Sequence, residues 1–271
     1  MFQAQANLLS YLLYLTILYL YTLYSKKGGD ILRFKIVCDV SDQVVPLDYR
    51  RKILSMIKKG LESTDKEKYQ ELYESNKFKE FTFSAYFGQA VFQKNVIQLK
   101  DNKLILNIST ANTELAFYLY NCLTSLRFKK LDWGNGLSVK IQSVSRVPQQ
   151  SIIEDCAILK TLSPIVVRDH NKETNKDWFY SFEAPEFLEI LKRNMVSSLV
   201  PILGDYIRYD IEELKLEPIN MKKTVARFYD RQVECSLGRF SLSGKPHLLN
   251  YLAQSGIGSL TGSGFGMCEL Q

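Results

Sequence analysis

The sequence predicts an α+β fold built from two successive β-α-β-β-α-β halves. Segments of alternating apolar and polar residues, the period-2 mark of a half-buried strand, recur along the chain. Between them lie stretches whose apolar residues fall at i, i+3, i+4 and i+7, the mark of a helix with one buried face. From about residue 32 onward, the order of these segments runs through once and then repeats.

The first half covers residues 32–150. Residues 33–40 alternate and are rich in β-branched side chains, as a strand requires. Pro46 precedes an amphipathic helix, with Ile53, Leu54, Ile57 and Leu61 on one stripe. A second short helix spans 65–76. Phe81, Phe83, Ala85 and Phe87 alternate with Thr82, Ser84 and Tyr86, as in a half-buried strand. Strands follow at 91–99 and 103–110. A helix then places Leu115, Leu119, Cys122, Leu123 and Leu126 on one face, and a strand covers 137–146.

The second half covers residues 151–271. A strand is expected at 152–160, with the apolar run Leu162 to Val167 behind it. A helix over 184–200 follows Ala184-Pro185. Long strands are expected at 206–216 and 222–242, then a short helix at 246–254, a glycine-rich turn and a last strand from about 264. Each half approximates the ferredoxin-like arrangement with antiparallel sheets. Two of them in tandem bury two cores and leave a groove between.

With 46% hydrophobic and 24% charged residues in a chain of 271, bulk disorder is excluded. The net charge of +6 and pI near 8.9 favour an anionic partner, nucleic acid or a membrane surface. The five cysteines are scattered and no C-x-x-C pair exists, so the chain reads as a reduced, cytoplasmic protein without a zinc site. Glu183, Glu186 and Glu189 flank a helix start, where acidic residues suit the macrodipole, and form no metal site. No cofactor is expected.

Residues 1–31 read differently. Residues 1–25 carry no charge, and Leu8 to Tyr24 is almost wholly apolar, near the length that spans a bilayer. One reading is an N-terminal anchor with Lys26-Lys27 on the cytoplasmic side. The preferred one is translation from upstream of a start near Leu32, which makes a membrane partner the lesser expectation. Without Lys26, Lys27 and Asp30 the remainder still carries +5, so the basic balance lies in the two halves.

The densest motif is Gly256-Ile257-Gly258-Ser259-Leu260-Thr261-Gly262-Ser263-Gly264-Phe265-Gly266-Met267, with five glycines in eleven positions. Bare amides in such a turn form a nest for an anion, here a phosphodiester, through Gly256, Gly258, Gly262, Ser263, Gly264 and Gly266. The plain alternative is a tight turn. The segment does not match the dinucleotide fingerprint, and Gly244-Lys245 is followed by Pro246, which rules out a phosphate-binding loop. Arg227, Tyr229 and Arg231 alternate as on one strand face, two phosphate forks around a stacking platform. Arg50 and Arg51 open the first helix as further phosphate candidates. His170 falls in a charged hairpin and His247 at a helix start, both read as ordinary surface residues.

The glycine-rich segment before the final strand resembles the signature of the CRISPR-associated endoribonucleases that cut precursor CRISPR RNA within its repeats, the sixth Cas family. Four further pieces agree in order: the opening RFKIV strand, Pro46-Leu47-Asp48-Tyr49, Lys79-Glu80-Phe81-Thr82-Phe83-Ser84, and Leu162-Ser163-Pro164-Ile165-Val166-Val167. The resemblance spans residues 33–270. It implies tandem ferredoxin-like domains and metal-independent cleavage, in which a 2′-hydroxyl attacks the adjacent phosphate to leave a 2′,3′-cyclic phosphate and a 5′-hydroxyl.

Members of that family use a histidine, a tyrosine and a lysine. The resemblance puts those positions at Tyr73, Lys58 and Lys79, so only Lys79 keeps the usual residue, and no histidine lies in residues 1–169. Spacing alone gives Tyr73 a packing role beside Tyr69 and Leu72, and Lys58 a place on a solvated face with Arg51 and Ser55. A tyrosine is a poor general base at neutral pH. The expectation is that Lys58, Tyr73 and Lys79 cluster at the scissile phosphate. Lys79 would stabilise charge, with Tyr73 or Lys58 aligning the 2′-hydroxyl. Three functions follow: a repeat-cleaving enzyme; a repeat-RNA-binding protein or effector-complex subunit without catalysis; and a membrane-anchored protein. CRISPR repeat RNA is the expected partner, with an effector complex or a homodimer as further assemblies.

Overall fold

The computed structural model describes residues 32–75, 78–229 and 231–271. The expectations for residues 1–31 lie outside the described residues. No helix among the described residues is long and apolar enough to cross a membrane.

The chain folds into two ferredoxin-like units. In the first, β1 (Leu32–Val40), β3 (Phe81–Tyr86), β6 (Lys103–Thr110) and β8 (Leu137–Val147) form an antiparallel sheet in the order β3-β6-β1-β8, and β7 (Leu131–Gly134) extends its far edge. Helices α1 (Tyr49–Thr64) and α3 (Thr113–Ser125) pack together, and α2 (Lys66–Tyr73) follows α1 directly. The stripe read from the sequence is the buried one: Ile53, Leu54, Ile57 and Leu61 join Ile36, Phe83, Leu106, Leu119 and Leu123 in one core. A small sheet, β2 (Val44–Pro46), β5 (Val96–Gln98) and β4 (Val91–Phe92), stands beside it.

The second unit repeats the topology. Its sheet runs β12-β13-β9-β14, from β9 (Cys156–Thr161), β12 (Lys215–Phe228), β13 (Arg231–Ser243) and β14 (Cys268–Leu270). Helices α4 (Phe187–Leu203) and α6 (Pro246–Ser255) supply its core with Leu191, Met195, Leu199, Leu248, Leu249 and Leu252. A hairpin, β10 (Val167–Asn171) and β11 (Lys176–Tyr180), projects ahead of α4.

Four expectations are corrected. Residues 206–216 are mostly helical: Ile207, Ile211 and Leu214 sit at i, i+4 and i+7, all buried, and α5 (Ile207–Glu213) forms on that stripe. The strand expected over 222–242 is two strands, because the chain reverses between the paired residues Phe228 and Arg231, with Tyr229 at φ 48°. The 91–99 segment is a hairpin of two short strands. Strand β3 is not half-buried: Thr82 and Ser84 are as inaccessible as Phe81 and Phe83, because the second unit covers the other face.

That cover is the glycine-rich segment. Its 3₁₀ turn (Thr261–Ser263) lies along β3, whose outer edge pairs with no strand among the described residues. Gly264 has φ 87°, and a Cβ there would stand 2.4 Å from the Phe83 ring. Gly136 also has positive φ, at 79°, but a Cβ there meets nothing within 4 Å. Gly136→Ala is therefore expected to cost about 1–2 kcal/mol, the backbone strain alone. Gly264→Ala should cost an additional ~1–3 kcal/mol from the forced displacement of Phe83, read as a larger fall in the urea midpoint.

Candidate nucleic-acid interface and catalytic cluster

Three sequence-distant residues meet beside the turn. Lys58 on α1 places its Nζ 4.7 Å from the centroid of the Tyr73 ring at the end of α2, and Lys79, just before β3, places its Nζ 5.4 Å from the same ring. Gly262 packs against the aliphatic stem of Lys79; a Cβ at Gly262 would stand 2.7 Å from the Lys79 Cβ. Burial, reinforced by the charge of Lys58, holds the Lys79 ammonium below its ordinary value of 10.5. The Tyr73 hydroxyl is buried and has no hydrogen-bond partner among the described residues. Burial pushes that phenol up, with smaller contributions from Cys122, Tyr69 and Tyr229. A neutral, enclosed hydroxyl moves no proton at neutral pH. Tyr73 is therefore a platform for two ammonium groups, and the expectation that its hydroxyl aligns the nucleophile is corrected.

The neighbouring arginines divide. Arg50 is 6% exposed, its Nε donates to the Gly264 carbonyl at 3.1 Å, and its guanidinium lies 4.4 Å from the Phe265 ring. Arg51, one residue on, is exposed, pairs with Asp48 at 3.0 Å and stacks 4.7 Å over Tyr229. Arg50 is thus an internal strut, while Arg51 faces outward. Arg227, Tyr229 and Arg231 do not alternate on one strand face: Tyr229 stands at the tip of the hairpin, with Arg227 on β12 and Arg231 on β13. Arg231 reaches Asp177 on β11 at 2.6 Å.

The glycine-rich segment offers fewer bare amides than its composition implies. The amides of Gly256, Ser263, Gly264 and Gly266 donate to Leu252, Leu260, Thr261 and Pro164 carbonyls, so four of the six residues read as a nest are closed internally. Gly258 lies against the Val166 carbonyl. The segment's carbonyls also accept from the first unit: Thr82 Oγ1 donates to Phe265 at 2.8 Å, and Arg33, which the sequence reading missed, donates to Cys268 at 2.5 Å.

Between the units runs a cleft of about 900 Å³. Arg50, Lys94, Lys222, Arg227 and Arg231 contribute to its walls with the exposed ring of Phe92, and no carboxylate is among its described lining residues. Lys94 and Lys222 carry no sequence signal of this role, since nothing local brings a β4–β5 hairpin opposite β12. The histidines stay outside: His170 is 2.8 Å from Asp177 and His247 is 2.9 Å from Asp210. The division of the two arginines is measurable. Arg50→Ala leaves the Gly264 carbonyl without its donor and is expected to cost about 2–4 kcal/mol in a urea titration. The exposed Arg51→Ala should cost less than about 1 kcal/mol.

Comparison with known proteins agrees with this architecture. Residues 147–270, the second unit, match the family model described as CRISPR associated protein Cas6, C-terminal. The chain is 26% identical over 231 residues to the CRISPR-associated endoribonuclease Cas6 1 of Methanocaldococcus jannaschii, covering 83% of this chain and 86% of that one. Among solved structures, it superposes with a TM-score of 0.78 on the product of a Cas6-related gene from Pyrococcus furiosus, at 22% identity, covering 89% of this chain and 98% of that one. A protein described as a RAMP protein binding different RNA substrates gives a TM-score of 0.76 at 21% identity, covering 89% and 99%. Residues 147–270 match the C-terminal model of the Cas6 family, and the chain as a whole is similar to Cas6 CRISPR-associated proteins in sequence and in the topology of both units.

Proposed function

We propose that this protein is a metal-independent endoribonuclease that cuts precursor CRISPR RNA within its repeats and so generates guide RNAs for antiviral defence. The observation that carries the reading is the convergence of Lys58 and Lys79 on Tyr73, beside a basic cleft. The name of the Methanocaldococcus relative supports the same class.

The RNA backbone lies in the cleft, where Lys94, Lys222 and Arg227 neutralise phosphates. The scissile phosphate sits at the lysine pair. The 2′-hydroxyl gives its proton to solvent water and attacks the adjacent phosphorus in line. The P–O5′ bond breaks, the departing O5′ takes a proton from solvent, and the products are a 2′,3′-cyclic phosphate and a 5′-hydroxyl. Charge builds on the non-bridging oxygens in the transition state, and two ammonium groups held on one ring stabilise it there. Lys58, the other member of the pair, aligns the nucleophile. Positioning and charge stabilisation carry the rate, with no histidine to move the proton.

A second reading, a repeat-RNA-binding protein without catalysis, is favoured by the enclosed Tyr73 hydroxyl and by both histidines lying elsewhere. Incubating the purified protein with repeat RNA in EDTA separates the two. Cleavage to cyclic-phosphate ends supports the enzyme, and tight binding of intact RNA supports the module.

Lys79→Ala is expected to slow single-turnover cleavage about 10²-fold or more. Tyr73→Phe should cleave near the wild-type rate, because the hydroxyl it removes is buried, while Tyr73→Ala should lose activity with the platform. The pH profile carries a sign. Lys79 works as the cation, so its contribution is complete below its pKa and declines as pH rises through it. With that pKa lowered, the decline begins below the ordinary lysine range. Lys79→Arg should hold the rate to higher pH.

A further inference from the structure

We infer that Phe128 and the basic side chains around it form a second site for single-stranded RNA, engaged by precursor RNA that continues beyond the repeat. The inference rests on the RNA reading of the cleft only for the identity of that strand. The segment Arg127-Phe128-Lys129-Lys130 links α3 to β7, and all four residues are exposed. Phe128 is 58% exposed, although Leu126 and Leu131 on either side are buried. Its φ is 62°, a conformation that bulky side chains rarely adopt. The Phe128 amide donates to the Ile141 carbonyl at 2.9 Å, and Arg127 bridges to Ile141, so β8 holds the ring outward. A strained backbone that presents an aromatic to water marks a binding role rather than a packing one.

The charge pattern names the ligand. The Arg127 guanidinium lies 4.7 Å from the ring centroid and the Lys140 ammonium 6.0 Å from it. Arg127, Lys129, Lys130 and Lys140 make no ion pair among the described residues. A recess of about 360 Å³ beside the ring is lined by Lys130, Lys140, Ser41, Ser138 and Asp39, and the Asp39 carboxylate accepts from Gln142 at 2.5 Å. An exposed aromatic face flanked by cations matches a base on the ring with its phosphates on either side, independent of sequence. A membrane surface would need a broad apolar face, and here the apolar element is one ring. The patch belongs to β8, three strands from the β3 edge that faces the second unit, on the order of 14 Å across the sheet. It is therefore separate from the cleft and open to RNA leaving it.

The test uses the full chain and a 5′-fluorescein oligouridylate of about 12 nucleotides, within the range one such surface covers. Phe128→Asn keeps a residue that tolerates positive φ. It should weaken binding about ten-fold, while repeat RNA without flanks is cleaved as by wild type. A triple variant, Lys129→Gln, Lys130→Gln and Lys140→Gln, should reduce the slope of log affinity against log salt by about 2. The inference is overturned if the wild-type protein does not bind the oligonucleotide, or if both variants bind it as wild type does. It is also overturned if the variants lose only binding to phosphatidylserine vesicles or to an acidic peptide. Wild-type protein that leaves repeat RNA intact counts against the endoribonuclease reading and leaves this test standing.

Discussion

The docking of the glycine-rich segment along β3 is the constraint on which the rest of the molecule depends. A bare sheet edge exposes unpaired backbone groups and must be covered or blunted. Here the cover is a chain that carries almost no side chains where it crosses Phe83 and Lys79. Polar bonds then fix the contact. Arg50, Thr82 and Arg33 all donate from the first unit to carbonyls of the segment and of β14 in the second. Apolar packing completes it, since Phe228, Val233, Cys235 and Phe265 of the second unit sit in the core of the first. The two units therefore share a boundary that behaves as interior, and the cleft beside it is a fixed feature of the fold.

The site's chemistry follows from that boundary. Lys79 is pressed onto Gly262, so its stem loses water and its ammonium loses part of its solvation. A second cation, Lys58, comes near because Tyr73 offers a ring that both can approach. Such an arrangement is unfavourable in the free protein and, under the proposed function, becomes favourable when an anionic phosphodiester lies between the lysines. The enclosed hydroxyl of Tyr73 agrees with that proposal, in which the ring positions the lysines and the lysines act. Carboxylates are also scarce at the cleft, where none is among the described lining residues although the chain carries 29 acidic residues.

Much of the fold was legible before the structure. The stripe Ile53, Leu54, Ile57, Leu61 and the alternation over 33–40 are local patterns, and both elements form where the patterns place them. The errors arose where local signals compete. Residues 206–216 carry enough aromatic and β-branched side chains to read as a strand, but Ile207, Ile211 and Leu214 needed one buried face, and the helix supplied it. The reversal at Tyr229 has no glycine to announce it. Asn135-Gly136 did announce a hairpin, and the short strand Leu131–Gly134 before it was overlooked. The burial of Thr82 and Ser84 was not readable at all, since what covers them lies more than 170 residues away.

The sequence by itself determined that there are two ferredoxin-like units, where most of their helices and strands fall, and which segments share the pattern of an RNA-processing family. Those properties rest on periodicity and short motifs, which are complete within a few turns of chain. Tertiary structure alone decided what each basic residue does. Arg50 and Arg51 are neighbours with the same chemistry, yet successive residues on a helix point about 100° apart. One is aimed into the boundary between units and the other into water. Likewise, whether a tyrosine hydroxyl is free or enclosed depends on the elements packed around it. Burial is a property of the whole fold, and no stretch of sequence carries it alone.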